Sequence, residues 1–337
     1  MGFHDILKVE DDKFYIDVAF RKATEKAAQM RGGFISESNI GRSKQIESMK
    51  VKIVRTVLCE KLMDTLKSFP DIDDLHEFYR ELIKATLDYG QLKKSLGAIN
   101  WAHNQILAFG TTINHKINAS SQPSVMNSQR REFYGRCSSI LKQIRENFKI
   151  LEHARRTILD FPNVRTGIPT IAIVGFPNVG KTTLLYKLTG SKAEIAPYAF
   201  TTKGVNVGYM YKDVKKKPTQ EELAQSAVER EDKGRAKIQI LDTPGTLNRP
   251  EKMNSIEKVA YLALTILANK AIYVFDLTEP YPLADQLELF DRVKKLKIPL
   301  MVYVSKIDLV PKDQYMEFAK KVGAITDIDE IKKRLMD

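Results

Sequence analysis

The chain has 337 residues, of which 43% are apolar and 28% are charged, so it has the composition of a folded protein and room for two domains. It contains no apolar run as long as a membrane-spanning helix requires, and its first residues, MGFHDILKVEDD, are acidic where a signal peptide needs bases. We therefore expect a cytoplasmic protein that does not enter a membrane. The net charge of +12 is compatible with a polyanionic partner, although solubility alone explains many basic proteins.

The first part of the sequence, from about residue 3 to 165, has helical periodicity and almost no strand signal. Further along, FPDIDD predicts a turn before a new helix, and helices are also predicted over residues 91–118 and 126–159. Long helices joined by short breaks predict an antiparallel bundle. Two apolar stripes are predicted to face its core: Val51, Val54, Leu58, Leu62 and Leu66, and then Ile140, Ile144, Phe148 and Leu151.

The last predicted helix and its flank carry an excess of bases. Between Arg130 and Arg165 there are nine Lys or Arg residues and four acids. One interpretation is a solvated outer face; the other is a surface that follows the phosphates of a nucleic acid. Phe133 and Tyr134 lie among these bases, where they could stack on RNA bases or belong to the core. The candidate RNA-binding residues are Arg130, Arg131, Arg136, Arg145, Arg155 and Arg156.

The segment DFPNVRTGIPT is rich in Pro and Gly and separates this part from a second one in which short apolar runs alternate with helices. We predict a helical bundle domain over residues 1–165 and an α/β domain over 166–337. The latter has a mostly parallel six-stranded sheet flanked by helices. A charged segment, 211–236, is predicted to be a surface insertion with a short helix over 219–231. The strand candidates are TIAIV, VNVGYM, KIQIL, AIYVFDL and PLMVYVS.

Residues 175–182, GFPNVGKT, match the pattern G-x-x-x-x-G-K-[ST] between a predicted strand and a predicted helix. Glycines in such a loop let successive backbone N–H groups point at phosphate oxygens, at the positive end of the helix. Lys181 can reach the β- and γ-phosphates, and the Thr182 hydroxyl can ligate Mg²⁺. This pattern therefore predicts a nucleoside triphosphate site.

Two later motifs identify the nucleotide. LDTPG, at 241–245, follows a strand and supplies an acid for Mg²⁺ and a glycine N–H for the γ-phosphate. VSKID, at 304–308, places a carboxylate where it can accept two hydrogen bonds from the N1–H and N2–H₂ edge of guanine. Adenine would leave that carboxylate unpaired, at a cost of about 1–3 kcal/mol. The stem of Lys306 can lie along the base. The motifs together predict GTP and GDP as ligands.

The segment PYAFTTK, at 197–203, carries the Phe-Thr-Thr sequence typical of the Obg-like GTPases. FPDIDDLHEFYRELI, RREFYGR, YAFTTKGVNVGYM and MNSIEKVAYLALTIL resemble the nucleolar GTP-binding protein (Nog) subfamily, and the resemblance covers about residues 5–310. It implies a GTPase of large ribosomal subunit assembly that binds ribosomal RNA, ribosomal proteins or pre-ribosomal particles, rather than DNA. Because the sequence stops at Asp337, it is similar to a short archaeal form, which we expect to be a cytoplasmic monomer.

The resemblance also implies roles for individual residues. Catalysis is assigned to Lys181, Thr202, Asp242 and Gly245, and Mg²⁺ ligation to Thr182 and Thr202. Asn178 lies where potassium-dependent relatives place an asparagine, which gives the hypothesis of a bound K⁺. The expected nucleotide contacts are Phe176, Pro177, Asn178, Val179, Gly180, Lys181, Thr182, Thr183, Ser305, Lys306, Asp308 and Ala324.

The sequence departs from the family pattern at several of these positions. Ser305 replaces an asparagine of the guanine motif, which predicts weaker guanine binding, and the charged insertion lengthens a connection that is short in the family. The fifth nucleotide motif has one candidate, VGAIT at 322–326, in which the Ala324 N–H would contact the guanine carbonyl. Gly245 is followed by Thr246 instead of a water-orienting glutamine, so intrinsic hydrolysis is expected to be slow and to need an activating partner.

Two other functions remain open from the sequence. The helical domain could dock a protein partner and have no ribosomal role, in which case the chain would be a signalling switch. It could also hold the catalytic centre of an RNA-modifying enzyme, but that half contains no nucleophile–base pair or metal cluster that we can identify.

Overall fold

The computed structural model describes residues 3–30, 38–161, 164–190, 206–211, 237–243, 255–278 and 282–336. These residues form two compact units. The first unit contains the chain up to Asp74 together with residues 86–159, and the second contains residues 75–85 and the chain from Asp160 onward. No helix in the described ranges is both long enough and apolar enough to cross a bilayer.

The first unit is helical, and two of its helices begin at residues that cap their free N–H groups. Ser38 Oγ accepts a hydrogen bond from the Gly41 N–H at 3.0 Å, and Asp88 Oδ1 accepts one from the Gln91 N–H at 2.9 Å. A short 3₁₀ turn, Phe3–Asp5, precedes the first helix. The helices are α1 (Asp12–Met30), α2 (Asn39–Ser68), α4 (Tyr89–Ala119), α5 (Pro123–Gln143) and α6 (Arg145–Leu159).

Contacts between α2 and α4 show that these helices run antiparallel. Lys44 Nζ donates to the Asn118 carbonyl at 2.6 Å, and Arg55 Nη1 donates to Thr111 Oγ1 at 3.0 Å, so residue numbers rise along one helix as they fall along the other. The predicted stripe of α2 is buried from Val51 to Leu62, and Leu66 is half-buried. The predicted helical bundle is confirmed.

The helix predicted over 126–159 is two helices, which corrects the single-helix prediction. Ile144 interrupts it with backbone angles of φ −98° and ψ 13°, and its N–H bonds to the Leu141 carbonyl three residues back. Ile140, Ile144, Phe148 and Leu151 are nevertheless all buried. The apolar period continues through the break, so hydrophobic spacing could not reveal it.

Helix α3 (Glu77–Thr86) comes from the N-terminal part of the sequence but lies almost entirely within the second unit. The Tyr79 hydroxyl donates to the Val164 carbonyl at 3.0 Å and accepts from the Val164 N–H at 2.9 Å. Phe78, Leu82 and Ile83 on the same helix are fully buried. A further contact within the second unit joins this helix to the C-terminal part of the chain: Lys258 Nζ donates to the Ala85 carbonyl at 3.2 Å.

The second unit is built on a five-stranded sheet with the order β2-β3-β1-β4-β5. Strands β1, β3, β4 and β5 are parallel, and β2 is antiparallel to β3. The strands are β1 (Thr170–Val174), β2 (Asn206–Tyr211), β3 (Lys237–Asp242), β4 (Lys270–Asp276) and β5 (Leu300–Ser305). The helices are α7 (Lys181–Thr189), α8 (Ser255–Leu262, continued by a π-helical turn at Ala263–Leu267), α9 (Leu283–Lys295), α10 (Lys312–Val322) and α11 (Ile328–Met336).

The predicted α/β fold is confirmed, and all five predicted apolar runs contribute strands. A sixth strand is reduced, in the described part of the chain, to one residue beside β5. The Ile325 N–H donates to the Val302 carbonyl at 2.8 Å, and the Ile325 carbonyl accepts from the Val304 N–H at 3.1 Å. Ile325 thus extends the parallel edge of the sheet without forming a regular strand.

The parallel register brings the functional motifs to one edge of the sheet. Ile173 of β1 pairs with Asp242 of β3, and Asp276 of β4 pairs with Ser305 of β5. The chain leaves β1 toward strands on one side of it and later places β4 on the other side. Such a switch point leaves a crevice at the carboxyl ends of the strands, where α/β proteins bind ligands.

Candidate nucleotide-binding site

The loop between β1 and α7 has a backbone conformation that depends on glycine. Gly175 has φ +154°, and a Cβ atom there would meet the Val274 carbonyl oxygen at 2.7 Å. Gly180, the N-cap of α7, has φ +93°, and Asn178 has φ +62°. Left-handed residues interspersed in such a loop orient consecutive N–H groups toward one point, which favours a bound phosphate.

Lys181, the first residue of α7, is buried across this loop with only 7% of its surface exposed. Its Nζ donates to the Phe176 carbonyl at 2.7 Å. Burial lowers the pKa of the Lys181 ammonium to about 8, although the nearby Asp242 favours its charged form. A phosphate beside this ammonium would raise its pKa again, because an opposite charge favours ionisation.

Thr182 and Asp242 bring the phosphate-binding loop and β3 together. Thr182 Oγ1 donates to Asp242 Oδ2 at 2.5 Å, and Asn206 Nδ2 of β2 donates to the same oxygen at 3.2 Å. Burial raises the pKa of the Asp242 carboxyl, and these two hydrogen bonds together with Lys181 oppose the rise. A hydroxyl oxygen and a carboxylate oxygen are the donors that Mg²⁺ takes from proteins, so these residues fit a magnesium ion.

Asn206 and Thr243 are site residues that the sequence interpretation did not single out. Thr243 follows Asp242 and is buried, with its Oγ1 donating to the Ile173 carbonyl at 2.7 Å and its N–H bonding to the same oxygen at 3.2 Å. These bonds fix the end of β3 against the end of β1. The available signal for Thr243 was its place next to Asp242 in LDTPG, whereas nothing local marks Asn206.

Ser305 connects the guanine motif to the phosphate-binding loop. Its hydroxyl is buried and lies 2.6 Å from the Val179 carbonyl and 3.0 Å from the Phe275 carbonyl. A Cβ atom at Gly180 would lie only 3.5 Å from the Ser305 Cβ. Serine therefore makes a direct link between β5 and the residue that precedes Gly180, in spite of being shorter than asparagine.

Lys306 is held by an acid that was not among the predicted site residues. Its Nζ lies 2.6 Å from Oδ2 of Asp276, the last residue of β4, whose side chain is fully buried. Burial alone would raise the pKa of the Asp276 carboxyl, but Lys306 and the hydrogen bonds from Thr278 outweigh it and lower that pKa. Asp276 ends an apolar strand in AIYVFDL, and that position was the signal in the sequence.

The other two predicted guanine contacts differ in their surroundings. Asp308 is exposed on a single 3₁₀ turn, Ile307–Leu309, directly after Lys306. The Ala324 N–H, in contrast, donates to the Ala319 carbonyl at 2.8 Å and closes the end of α10. This contact corrects the expectation that the Ala324 N–H is available to a guanine carbonyl. The sequence VGAIT could not show it because Gly323, with φ +67°, ends the helix one residue earlier.

The remaining predicted site residues lie either in the loop between β1 and α7 and the start of α7 or outside the described ranges. Phe176 and Val179 are buried, Pro177 is half-buried, and Asn178 and Thr183 are exposed. Thr202, Gly245, Thr246 and residues 212–236 of the insertion lie outside the residues that the structure describes.

Four of the six candidate RNA-binding arginines are engaged in ion pairs within the helical unit. Arg130 pairs with Glu47, Arg145 forms two bonds of 2.8 Å with Asp12, and Arg155 and Arg156 both bind Glu152. The Arg155 guanidinium lowers the pKa of Glu152 to about 2. Arg131 and Arg136 are exposed, and neither has an ion-pair partner among the described residues.

Phe133 and Tyr134 are part of the packing of the bundle. Phe133 is completely buried, and the Tyr134 ring stacks on Phe20 with centroids 4.2 Å apart. The Arg130 guanidinium lies 5.0 Å from the Tyr134 centroid. Neither ring presents a free face for RNA bases, so the core interpretation of this pair is the one that holds.

Comparison with known proteins agrees with this arrangement in both halves of the chain. A family model described as "NOG1 N-terminal helical domain" matches residues 3–165, and a model described as "50S ribosome-binding GTPase" matches residues 170–306. Among solved structures, a nucleolar GTP-binding protein 1 of Plasmodium falciparum is 22% identical, with a TM-score of 0.33, and the match covers 48% of this chain and 74% of that one.

Two relatives from curated proteins match over most of the chain. An uncharacterized protein of Methanocaldococcus jannaschii is 35% identical, and the match covers 81% of this chain and 72% of the relative. Nucleolar GTP-binding protein 1 of Saccharomyces cerevisiae is 29% identical over 97% of this chain and 48% of its own length. The chain thus spans about half the length of the nucleolar relatives that it matches. From both domain matches and the loop geometry, the chain belongs to the nucleolar GTP-binding protein family of GTPases.

Proposed function

We propose that the protein binds GTP with Mg²⁺, hydrolyses it to GDP and phosphate, and acts as a switch in large ribosomal subunit assembly. The observation that carries the nucleotide part is the 2.5 Å contact between Thr182 and Asp242, which joins the two motifs that Mg·GTP requires. The ribosomal part is supported by the names of the relatives and of the second family model. We also propose that the protein is a cytoplasmic monomer.

In the proposed mechanism, the N–H groups from Asn178 to Thr183 hold the phosphates and Lys181 neutralises their charge. Thr182, Thr202 and Asp242 would hold Mg²⁺, which would supply positive charge against the γ-phosphate. Asp242 and Gly245 respond to the presence of that phosphate. Asp308 reads the guanine edge while the stem of Lys306 covers one face of the base. Positioning and charge neutralisation dominate phosphoryl transfer, so no strong base is required.

Slow intrinsic hydrolysis is part of the proposal, because Thr246 stands where Ras-like enzymes have a water-orienting glutamine. An activating partner that supplies the missing groups would accelerate the reaction by about 10³–10⁵. In such an enzyme, bound GTP would hold Thr202 and the segment after Gly245 until the partner triggers hydrolysis, and hydrolysis would release them. A K⁺ ion beside Asn178 is a further part of the proposal, and it requires faster hydrolysis in potassium than in sodium chloride.

We expect ribosomal RNA binding to depend on Arg131 and Arg136 more than on the other candidate arginines. These two side chains are exposed and have no ion-pair partner in the described ranges, so they can neutralise phosphates without breaking a bond. The double variant Arg131→Gln, Arg136→Gln should bind large-subunit RNA more weakly at low salt. The plot of log K against log salt should become shallower, its slope losing about 2 in magnitude, one for each lost phosphate contact.

The measurement is gradient co-sedimentation with large-subunit particles at several salt concentrations, in GDP, a non-hydrolysable GTP analogue or no nucleotide. Arg155→Gln is the matched control, because Arg155 is already bound to Glu152 and should contribute little to RNA affinity. An unchanged salt slope in the double variant, or free protein under every nucleotide, would contradict the proposed RNA surface.

A second candidate function, docking of a protein partner, is favoured by the surface of α4. No charged residue occurs between Lys94 and Lys116, although most side chains of this stretch outside the core face are exposed. Trp101 and Leu107 are 41% and 42% exposed there. A nucleic acid bound at this surface would need cations opposite its phosphates, whereas a protein partner with an uncharged surface would not. Association that survives nuclease treatment and changes the fluorescence of Trp101, the chain's one tryptophan, would support this function.

A further inference from the structure

The end of β4 contains a buried carboxylate, Asp276, that pairs with one cation through Oδ2 and accepts two hydrogen bonds through Oδ1, while Oδ2 itself has no hydrogen bond among the described residues. Asp276 Oδ2 lies 2.6 Å from Lys306 Nζ, and Oδ1 accepts hydrogen bonds from the Thr278 N–H at 2.9 Å and the Thr278 hydroxyl at 2.6 Å. Asp276 is 1% exposed, whereas the Lys306 side chain is 31% exposed. The acid is therefore the fixed partner in this pair, and the lysine is the one that reaches toward solvent.

The backbone of Asp276 is fixed as well, by the side chain of Gln286 on α9. The Asp276 N–H donates to Gln286 Oε1 at 3.0 Å, and Gln286 Nε2 donates to the Asp276 carbonyl at 2.8 Å. Gln286 is itself 1% exposed, and its backbone carbonyl accepts a hydrogen bond from the Tyr273 hydroxyl at 2.6 Å. Strand β4 and helix α9 together thus fix the backbone position from which the Asp276 carboxylate extends.

Lys306 needs such a partner, because its backbone conformation is unfavourable for lysine and its side chain can adopt many rotamers. It has φ +50°, a conformation that L-residues other than Asn and Asp rarely adopt. Its side chain has four rotatable bonds and would lose considerable rotamer freedom in covering a base. With Nζ anchored on Asp276, both ends of the Lys306 side chain are restrained and fewer rotamers are open to its stem.

We infer that Asp276 is a positioning residue for guanine recognition, which acts on the base through Lys306 and not by touching the nucleotide. This inference rests on the proposed GTP site. The anchored stem forms one wall for the base, and the Lys306 carbonyl accepts the Leu309 N–H at 3.0 Å, which closes the turn that carries Asp308. Preorganisation of this kind raises affinity for the matching base by reducing the entropy lost on binding.

Asp276→Asn is the test, because asparagine has the same shape and keeps an oxygen for Thr278 but loses the charge that anchors Lys306. We expect the GDP dissociation constant to rise about tenfold, as for a lost charge-assisted contact. The preference for GDP over ADP should fall by the same factor, because phosphate contacts are untouched. The KM for GTP should rise while kcat at saturating GTP stays unchanged.

Two further variants separate positioning from a structural role. Asp276→Asn introduced into Lys306→Met protein should cause no additional loss of GDP preference, since the two residues act as one unit. Glu288→Gln, which breaks an exposed pair with Arg292 on α9, should leave the preference at its original value. If Asp276→Asn fails to fold, Thr278→Val loosens the carboxylate without removing its charge and should give a smaller loss of the same kind.

Equal losses of GDP and ADP affinity together with a lower Tm would overturn the inference and leave Asp276 as a structural residue. An unchanged GDP preference in Asp276→Asn protein, with additive behaviour of the double variant, would overturn it as well. Failure of the proposed function has a different signature, because the original protein would then show no preference for GDP over ADP.

Discussion

Replacing Asp308 by asparagine is expected to change the base that the protein selects from guanine to xanthine. Two hydrogen bonds from the guanine edge to a charged carboxylate contribute about 1.5–3 kcal/mol each, so the loss of GTP affinity should be about 10²–10⁴-fold. Xanthine keeps the N1–H but has a carbonyl in place of the amine. The asparagine oxygen can accept the N1–H, and its amide group can donate to that carbonyl.

The exposed position of Asp308 on its own 3₁₀ turn makes this experiment direct, because the substitution removes no packing contact that would confuse the result. Dissociation constants for GTP and xanthosine triphosphate should be measured for the variant and for Asp313→Asn, an exposed aspartate of the next helix that should behave as the original protein. If Asp308→Asn protein still preferred GTP, the guanine motif would have been assigned to the wrong loop.

The phosphate-binding part of the site could be predicted because it depends on local sequence. Gly175 and Gly180 are needed at their own positions by backbone angles and close approach, and Lys181 and Thr182 follow as the first residues of one helix. Parallel strands that end in Asp242 and Ser305 bring these motifs to the same edge of the sheet without further information. A pattern over a few residues is therefore sufficient for this region.

Other features depend on partners distant in the sequence and could not be predicted. Periodicity indicates that one face of α3 is buried, but not that Tyr79 bonds to Val164 and that residues 75–85 pack with the second unit. A count of bases marks Arg145 as a candidate for RNA, but its carboxylate partner, Asp12, comes from the start of the chain. The same limit applies to Asp276, whose role becomes visible only with Lys306 beside it.

Removal of the Thr182 hydroxyl is expected to have the largest effect on hydrolysis. Thr182→Ala deletes one hydroxyl with two roles: it is the proposed ligand of Mg²⁺, and it donates to Asp242 Oδ2 at 2.5 Å. Interactions that position charge in the transition state are worth about 10²–10³ in rate when one is removed, so kcat should fall by that factor. Affinity for GDP measured without magnesium should change much less, since the backbone N–H groups and Lys181 remain.

Single-turnover hydrolysis over a range of magnesium concentrations tests this expectation, with Thr189→Ala as the control. Thr189 lies at the other end of the same helix, and its hydroxyl donates only to the Leu185 carbonyl at 2.8 Å, so its loss removes an equal group away from the phosphates. The Thr182→Ala enzyme should need more magnesium for half its maximal rate, whereas the control should follow the original curve. A rate and a magnesium dependence that both match the original protein would mean that Thr182 does not hold the ion, and the observation that carries the nucleotide part of the proposed function would lose its meaning.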